Sequence, residues 1–192
     1  MVTKINIAIF ASGTGSNTQK IIDTFKQNDL IKIALIVCNK DGAGVLQIAE
    51  KENVPAILLE RKKFFEDGYA DVLKEHNIDW IVLAGFLWKI PAVLIEKFRD
   101  KIINIHPALL PGFGGKNMYG NRVHETVLKS KEIESGITIH FVDEIYDNGK
   151  IIFQAKCKVD ENETTESLAK KIHELEHLHY PLIIKKLLSC VI

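Results

Sequence analysis

The stretch KINIAIFASGTGSNTQKIIDTF, residues 4–25, contains the pattern that decides the fold of this chain. It opens with an apolar, isoleucine-rich run that is typical of a buried β-strand. The glycine-rich turn SGTGSN follows, and Ile21, Ile22 and Phe25 then recur with helical spacing. The order of strand, glycine turn and helix predicts the first unit of a parallel α/β sheet.

The same alternation of apolar strands and amphipathic helices continues through the first half of the chain. Strands are predicted in IKIALIVC (31–38), AILLE (56–60), WIVLAGF (80–86) and KIINIH (101–106), and helices in GVLQIAEKE (44–52), residues 64–75 and PAVLIEKF (91–98). Buried parallel strands read as continuous apolar runs because helices cover both faces of their sheet. We therefore expect a doubly wound, Rossmann-like, mostly parallel α/β sheet with helices on both faces.

The second half departs from this pattern. The apolar runs SGITIHFV (135–142) and KIIFQAKCKV (150–159) are joined by DEIYDNG (143–149), a turn-rich segment typical of antiparallel pairing. An antiparallel edge of the sheet is therefore expected. A last helix is predicted over residues 165–188, bent or broken at Tyr180 and Pro181. Because the sequence shows neither a repeat nor a linker, residues 1–192 are expected to form a single domain.

The composition restricts the classes of partner. The chain of 192 residues carries 25 Lys and Arg against 25 Asp and Glu, which argues against nucleic acid or a membrane surface as a partner. Its apolar runs are too short or too interrupted to span a bilayer. The three cysteines, Cys38, Cys157 and Cys190, lack metal-like spacing, which favours reduced thiols and a cytoplasmic location. Small-molecule ligands are expected at the carboxyl ends of the strands.

The glycine turn after the first strand indicates an anion site at a helix N-terminus. Its residues can approach a phosphate closely or donate to it: Gly13, Gly15, Ser16 and Asn17. A dinucleotide site is disfavoured, because Thr18 occupies the third glycine position and the second strand ends in Cys38 and Asn39 rather than in an acidic residue. The turn therefore predicts a site for a single phosphate, with a plain tight turn as the alternative.

Two polar residues at the end of the fifth strand suggest a catalytic centre. Asn104 and His106 fall on the same face of that strand, just before a loop rich in proline and glycine. Asp147 is the expected partner, because its loop joins two strands that should lie beside this one. Such a trio suits acyl transfer to an amine: Asn104 and protonated His106 stabilise the oxyanion, and Asp147 orients the imidazole and raises its pKa. A structural histidine at a strand end is the alternative.

The chain resembles the folate-dependent formyltransferases, most specifically those that act on glycinamide ribonucleotide. The resemblance rests on SGTGSN (12–17), VLAGF (82–86), NIHPALLP (104–111), GITIHFV (136–142), DNGKIIFQAK (147–156) and EHLHYP (176–181), which occur in family order. It implies direct transfer of the formyl group of 10-formyltetrahydrofolate, the co-substrate, to the amine of 5-phosphoribosylglycinamide in purine biosynthesis. We expect no metal, and a monomer or weak homodimer.

The resemblance also implies roles for individual residues. The implied catalytic set is Asn104, His106 and Asp147, with His106 as the proton donor. The implied ribotide site consists of Gly15, Ser16, Asn17, His173 and Glu176. The implied folate site consists of Leu87, Trp88, Lys89, Ile90, Asn104, Asp143, Glu144, Ile145, Tyr146 and Asp147. His140 either supports the catalytic residues or is a core histidine.

Two segments depart from the family pattern. Leu87, Trp88 and Lys89 stand where many relatives carry a Met-Arg pair, and the loop GFGGKNMYGNRVHE (112–125) is longer and richer in glycine. Lys116 and Tyr119 in that loop are expected to be solvated.

The run HELEH, residues 173–177, raises the alternative of a zinc peptidase, because it matches H-E-x-x-H. Such a site needs a third protein ligand, and only His179 and Cys190 follow. His179 is two residues from His177 and points to another side of a helix. The resemblance instead gives the helix a sugar-binding role through Glu176, whose two oxygens suit two ribose hydroxyls.

Three further alternatives stay open. Methionyl-tRNA formyltransferase shares the N-x-H site, but it resembles a longer chain with a basic surface for RNA. Formyltetrahydrofolate deformylase would place a regulatory domain before the first strand. A nucleotide sensor would bind the ribotide without turnover.

Overall fold

The structure, a computed structural model, describes residues 4–67 and 69–190. Its strands are β1 Ile5–Ala11, β2 Ile31–Cys38, β3 Ala56–Leu58, β4 Trp80–Leu83, β5 Ile102–His106, β6 Glu134–Phe141 and β7 Ile151–Lys158. Its helices are α1 Ser16–Phe25, α2 Gly44–Lys51, α3 Arg61–Asp67, α4 Ala70–Glu75, α5 Ala92–Lys97, α6 Asn121–Lys129 and α7 Thr165–Ser189. Among the described helices, none is long and apolar enough to cross a membrane.

The strands form one seven-stranded sheet in the order β3-β2-β1-β4-β5-β6-β7. The pairs β2–β3, β1–β2, β1–β4 and β4–β5 are parallel. β6 runs antiparallel to both β5 and β7. The predicted mostly parallel sheet with an antiparallel edge is therefore confirmed. Strand order reverses beside β1, so the carboxyl ends of β1 and β4 border the crevice where ligands bind in such sheets.

Helices cover both faces of the sheet, and strand alternation explains how. Ile7 and Ile9 of β1 point to the face where α1, α6 and α7 pack. Ala8 and Phe10 of the same strand point to the other face, where Phe64 of α3 packs along with residues of α4 and α5. Each face thus acquires its own apolar core, which fixes the sheet beneath the crevice.

The single helix predicted over residues 64–75 is wrong, because the structure has two helices there. Tyr69 adopts a left-handed backbone with φ of 54°, which ends one helical run and starts another. Its hydroxyl accepts a hydrogen bond of 2.8 Å from the backbone N–H of Glu60. Its aromatic ring packs against the core on the α3 side of the sheet. These tertiary contacts hold a turn that helical periodicity alone does not show.

The last helix is also more regular than predicted. α7 continues through Pro181 without a break. The fully buried Tyr180 donates a hydrogen bond of 2.9 Å from its hydroxyl to the carbonyl of Leu83, which ties the helix to the end of β4. Pro181 is itself buried. Packing on both sides of the proline therefore outweighs the loss of one backbone hydrogen bond.

Candidate active site

A cavity of about 570 Å³ opens at the carboxyl ends of β1, β4 and β5. Its wall consists of the turn after β1, the loop after β4, the end of β5, residues 115–120, Tyr146 and Asp147, and one face of α7. This is the edge of a doubly wound sheet at which ligands are expected, and the volume suits a small molecule.

The glycine turn forms one end of the cavity, which residues 12–17 line. Gly15 precedes α1 with φ of 82°, in the left-handed region. A Cβ at Gly15 would lie 2.7 Å from Cδ1 of Ile48 and 3.0 Å from Cα of Val45. Glycine is therefore required here both for its backbone angle and for the close approach of α2. The turn directs the free N–H groups at the start of α1 toward the cavity, as the predicted phosphate site requires.

Glu176 and Asn17 join α7 to this turn. The side-chain Nδ2 of Asn17 donates a hydrogen bond of 2.9 Å to Oε2 of Glu176. Glu176 is only 6% exposed, and burial raises the pKa of its carboxyl group, against the opposing effects of Asn17 and His173. Oδ1 of Asn17 is buried and has no hydrogen-bond partner among the described residues. The structure therefore brings the predicted ribotide residues together at one end of the cavity and leaves Oδ1 of Asn17 without a partner among the described residues.

Asn104 and the buried His140 form a hydrogen-bonded pair across the antiparallel strands β5 and β6. Nδ1 of His140 donates 2.7 Å to the carbonyl of Phe141, so Nε2 is the nitrogen that accepts from Nδ2 of Asn104 at 3.1 Å. Burial lowers the pKa of His140, although the Phe141 hydrogen bond and the charge of Asp147 act in the opposite direction. A neutral His140 therefore orients the Asn104 amide and leaves its second N–H for the cavity.

His106 and Asp147 face each other at the same end of β5. Nδ1 of His106 lies 3.6 Å from Oδ2 of Asp147, which is longer than a hydrogen bond. Nε2 of His106 donates 2.8 Å to the carbonyl of Phe113, and Oδ2 of Asp147 accepts 2.8 Å from the backbone N–H of Gly115. The loop after β5 therefore contacts both side chains at once.

The predicted folate residues divide into two groups. Four of them line the cavity, namely Leu87, Asn104, Tyr146 and Asp147. The other six lie outside its wall, namely Trp88, Lys89, Ile90, Asp143, Glu144 and Ile145. Nζ of Lys89 lies 5.7 Å from the centroid of the Tyr146 ring, so the two predicted folate segments touch.

Trp88 and Ile90 instead pack against the core on the α3 side of the sheet. The centroids of the Trp88 and Phe64 rings are 5.7 Å apart. The Arg61 guanidinium lies over the Trp88 ring, with its Cζ 5.7 Å from the ring centroid. Ile90 is 4% exposed and belongs to the same core. These two side chains therefore anchor the loop after β4 to the core and do not line the cavity.

The HELEH segment lies along α7 beside the ribotide residues. The rings of His173 and His177 stack with centroids 6.2 Å apart, and His173 lines the cavity with Glu176. Among the described residues, no group of three or more His, Cys, Asp or Glu side chains is placed to hold a metal ion. His173 lies on the cavity wall about one turn before Glu176, and its predicted role in ribotide binding stays a prediction.

Comparison with known sequences gives the family of this site. Residues 5–184 match the formyl transferase family, so the match includes every cavity residue described above. The chain belongs to the formyl transferase family. The turn after β1, the Asn104–His106 strand end and the Asp147 loop therefore all lie within the formyl transferase region of the chain.

Similar proteins cover nearly the whole formyl transferase region. Phosphoribosylglycinamide formyltransferase of Bacillus subtilis is 39% identical over 188 residues, which are 95% of this chain and 94% of the relative. The chloroplastic phosphoribosylglycinamide formyltransferase of Arabidopsis thaliana is 40% identical over 185 residues. That match covers 93% of this chain but 63% of the plant protein, so this chain spans less than two thirds of it. The crystal structure of glycinamide ribonucleotide transformylase 1 from Geobacillus kaustophilus has 38% identity and a TM-score of 0.87, over 96% of this chain and 98% of that chain.

Two ionisable residues of this formyl transferase cavity, Lys40 and His124, were not predicted from the sequence, and Lys116 and Tyr119 were expected only to be solvated. Lys40 lines the cavity just beyond β2, a position that the parallel pairing of β1 and β2 would have indicated. His124 lines it from α6, a helix that was not predicted. Lys116 and Tyr119 are exposed, as expected, but they also form part of the cavity wall.

Proposed function

We propose that this chain transfers the formyl group of 10-formyltetrahydrofolate to the amine of 5-phosphoribosylglycinamide in purine biosynthesis. The supporting observation is that Asn104, His106 and Asp147 share one cavity with the glycine turn and Glu176. A phosphorylated ribose that bears a reactive amine needs an anion site, a sugar site and an acyl-transfer centre within the length of one small molecule. Two relatives that match nearly full length bear names of this activity.

In the proposed complex the phosphate lies at the glycine turn. The N–H groups at the start of α1 donate to it, and Lys40 on the cavity wall supplies a positive charge. The ribose hydroxyls then reach Glu176, whose Oε2 is already bonded to Asn17 and whose Oε1 is left to accept. This arrangement directs the glycinamide amine along the cavity toward His106.

The proposed reaction is a direct acyl transfer with balanced proton movement. The amine nitrogen forms a bond to the formyl carbon, and the carbonyl oxygen becomes an oxyanion that accepts from the free N–H of Asn104. The bond between that carbon and N10 of the folate then breaks. The amine loses one proton and N10 gains one, and His106 beside the Asp147 carboxylate is the group that transfers it.

His106 has to change one of its present contacts to do this. Nε2 donates to the Phe113 carbonyl, and Nδ1 faces Asp147 across 3.6 Å. Substrate that displaces the Phe113 carbonyl frees one ring N–H for the leaving nitrogen, while Asp147 holds the other side of the imidazole. The loop of residues 112–120 therefore adjusts when both substrates bind.

The folate is proposed to lie against the loop after β4 and the Asp147 loop. Leu87 is 53% exposed and Tyr146 is 42% exposed, and both line the cavity, so they offer apolar area to a flat ring system. A single domain over residues 1–192, a monomer or weak homodimer, a metal-free reaction and a cytoplasmic location stay predictions.

A two-substrate assay tests the proposal. The purified protein is incubated with 10-formyltetrahydrofolate and glycinamide ribonucleotide, and mass spectrometry is expected to show formylglycinamide ribonucleotide and tetrahydrofolate in equal amounts. Formate release at an undiminished rate without ribotide would instead identify a deformylase. Ribotide binding without turnover would identify a sensor, and formylation of methionyl-tRNA in place of the ribotide would also overturn the proposal.

A further inference from the structure

His124 is a buried histidine on the cavity wall to which nothing above assigns a role. It lies on α6, is 3% exposed, and shares the buried face of that helix with Val123 and Val127. Its Nδ1 is fully buried and has no hydrogen-bond partner among the described residues. Nε2 is not one of the buried atoms without a partner, and no described residue bonds to it, so Nε2 is the nitrogen at the cavity surface. A core histidine would normally have its hydrogen bonds satisfied.

The surroundings of His124 favour a neutral imidazole. Burial and, to a smaller extent, the neighbouring imidazoles of His173 and His106 together lower the pKa of His124 to about 4. A proton on Nδ1 would be a buried donor without an acceptor, whereas a proton on Nε2 faces the cavity. The preferred tautomer therefore presents an N–H donor to whatever fills the cavity, with no net charge.

The position of His124 indicates which part of a ligand it would meet. His106 lies at the reacting end of the cavity, His173 lies beside Glu176 at the sugar end, and both are close enough to influence His124 electrostatically. In the proposed complex the segment between these two ends is the amide group that links the ribose to the aminomethyl carbon. Its carbonyl oxygen is a hydrogen-bond acceptor, and a buried N–H donor at this depth would satisfy it.

We propose that Nε2–H of His124 donates a hydrogen bond to the amide carbonyl oxygen of the ribotide and thereby positions its amine beside His106. This inference rests on the proposed function, because it names the contact that the same substrate makes in the middle of the cavity. The contact distinguishes glycinamide ribonucleotide from a ribose phosphate that lacks the amide.

A matched set of substitutions at His124 tests the contact. The side-chain amide of His124→Gln reaches the position of Nε2 and can donate, whereas the shorter amide of His124→Asn reaches only the position of Nδ1. We expect KM for the ribotide to rise about tenfold in His124→Asn and His124→Leu, and to stay within about threefold of wild type in His124→Gln, the size of one hydrogen bond to a buried group. KM for 10-formyltetrahydrofolate is expected to stay unchanged in all three.

Equilibrium binding supplies the second measurement. Calorimetry with ribose 5-phosphate is expected to give the same Kd for wild type, His124→Gln and His124→Asn, while Kd for glycinamide ribonucleotide rises about tenfold only in His124→Asn. Thermal melting of each variant reports whether the fold is kept. If His124→Leu does not fold, the Gln and Asn pair still decides the question.

Three outcomes would overturn the inference. One is an unchanged ribotide KM in folded His124→Asn and His124→Leu, and another is an equal loss in the Gln and Asn variants. The third is an equal weakening of ribose 5-phosphate binding, which would place His124 at the sugar. Absence of formyl transfer by the wild-type protein is a different result, because it contradicts the proposed function before any variant is compared.

Discussion

The two ends of the cavity differ in how far their side chains are preorganised in the absence of substrate. At the proposed ribotide end, Gly15 packs closely against α2, and Asn17 and Glu176 are already joined by a hydrogen bond of 2.9 Å. At the proposed folate end, Leu87 and Tyr146 are about half exposed, and His106 donates a hydrogen bond to the carbonyl of Phe113 in the loop that follows it. The proposed ribotide end is therefore preorganised, whereas the proposed folate end must exchange some of its present contacts when substrate binds.

The difference follows from the chemistry that each end must perform. A phosphate is recognised by fixed backbone N–H groups, and these can be set by one helix start. A flat ring system needs apolar surface that stays accessible until the ring covers it, and a proton donor needs a hydrogen bond that can be given up. Substitutions at the two ends should therefore change different measurements.

The largest effect is expected at the catalytic centre. His106→Ala removes the group that is proposed to transfer the proton, so kcat should fall by at least about two orders of magnitude, or about 2.7 kcal/mol in the barrier. Steady-state kinetics with both substrates measures this. Asp147→Asn keeps the shape and an acceptor for the Gly115 N–H but removes the charge, and it should also lose most of kcat.

His76→Ala is the control for the catalytic histidine. His76 lies at the end of α4, away from the cavity wall, and its substitution should leave kcat unchanged. Activity of His106→Ala close to that of wild type would show that His106 does not transfer the proton. It would also contradict the proposed difference between the two ends of the cavity.

The next effect is expected at the rigid end, from Gly15→Ala. The added Cβ must occupy a left-handed backbone and meets Ile48 and Val45 at contact distances that need a shift of α2. We expect about 2 kcal/mol loss in the free energy of unfolding, together with a higher KM for the ribotide. Gly42→Ala has a similar φ of 66° but meets nothing within 4 Å, so it should cost about 1 kcal/mol or less. Chemical denaturation compares the two, and equal losses would show that packing against α2 does not matter.

The difference between the two ends also explains which features could be predicted from the sequence. The glycine turn is local, because its glycines, polar donors and helix start are consecutive, and so the predicted phosphate site needed only residues 12–17. The apolar runs likewise predicted the parallel sheet, since apolar periodicity reports burial directly, and the turn-rich segment 143–149 predicted its antiparallel edge. Neither prediction required knowledge of distant contacts.

The rest of the fold and site depended on tertiary packing. The turn at Tyr69 is held by contacts with Glu60 and the core, and Pro181 stays helical because Tyr180 is anchored to Leu83. His124 reaches the cavity only because α6 packs its buried face against the sheet. Val123 and Val127 have helical spacing, but the glycine-rich run of residues 112–125 was interpreted as a loop, so α6 and the histidine that it carries were missed.

Glu176→Gln separates binding from stability at the rigid end. The neutral amide loses the charge-assisted hydrogen bonds to the ribose hydroxyls, so KM for the ribotide should rise about tenfold while kcat stays within about twofold. Glu174→Gln is the matched control on the exposed side of α7, and it should leave both constants unchanged. An effect at Glu174 equal to that at Glu176 would contradict the sugar-binding assignment.

A comparison of wild type with Glu176→Gln also tests a pH dependence of stability. Burial raises the pKa of Glu176 in the folded protein, so the folded state holds this proton to higher pH than the unfolded state does. Wild type therefore loses stability as pH rises above the ordinary value of 4.5, and Glu176→Gln does not. Melting temperatures should be similar at about pH 4, and the variant should melt higher at about pH 8. A lower melting temperature at pH 8 would show that the carboxylate is stabilised in the fold instead.

The smallest effect is expected at the adaptable end, from Lys89→Met. This change removes the ammonium group that lies 5.7 Å from the centroid of the Tyr146 ring and contacts the second predicted folate segment there. An exposed cation–π contact contributes about 0.5–1 kcal/mol, so KM for 10-formyltetrahydrofolate should rise about two- to fivefold, with KM for the ribotide unchanged. Lys89→Arg keeps the contact and should stay near wild type, and Lys129→Met on exposed α6 surface controls for loss of charge. A change in ribotide KM equal to that in folate KM would show that the two ends do not respond independently.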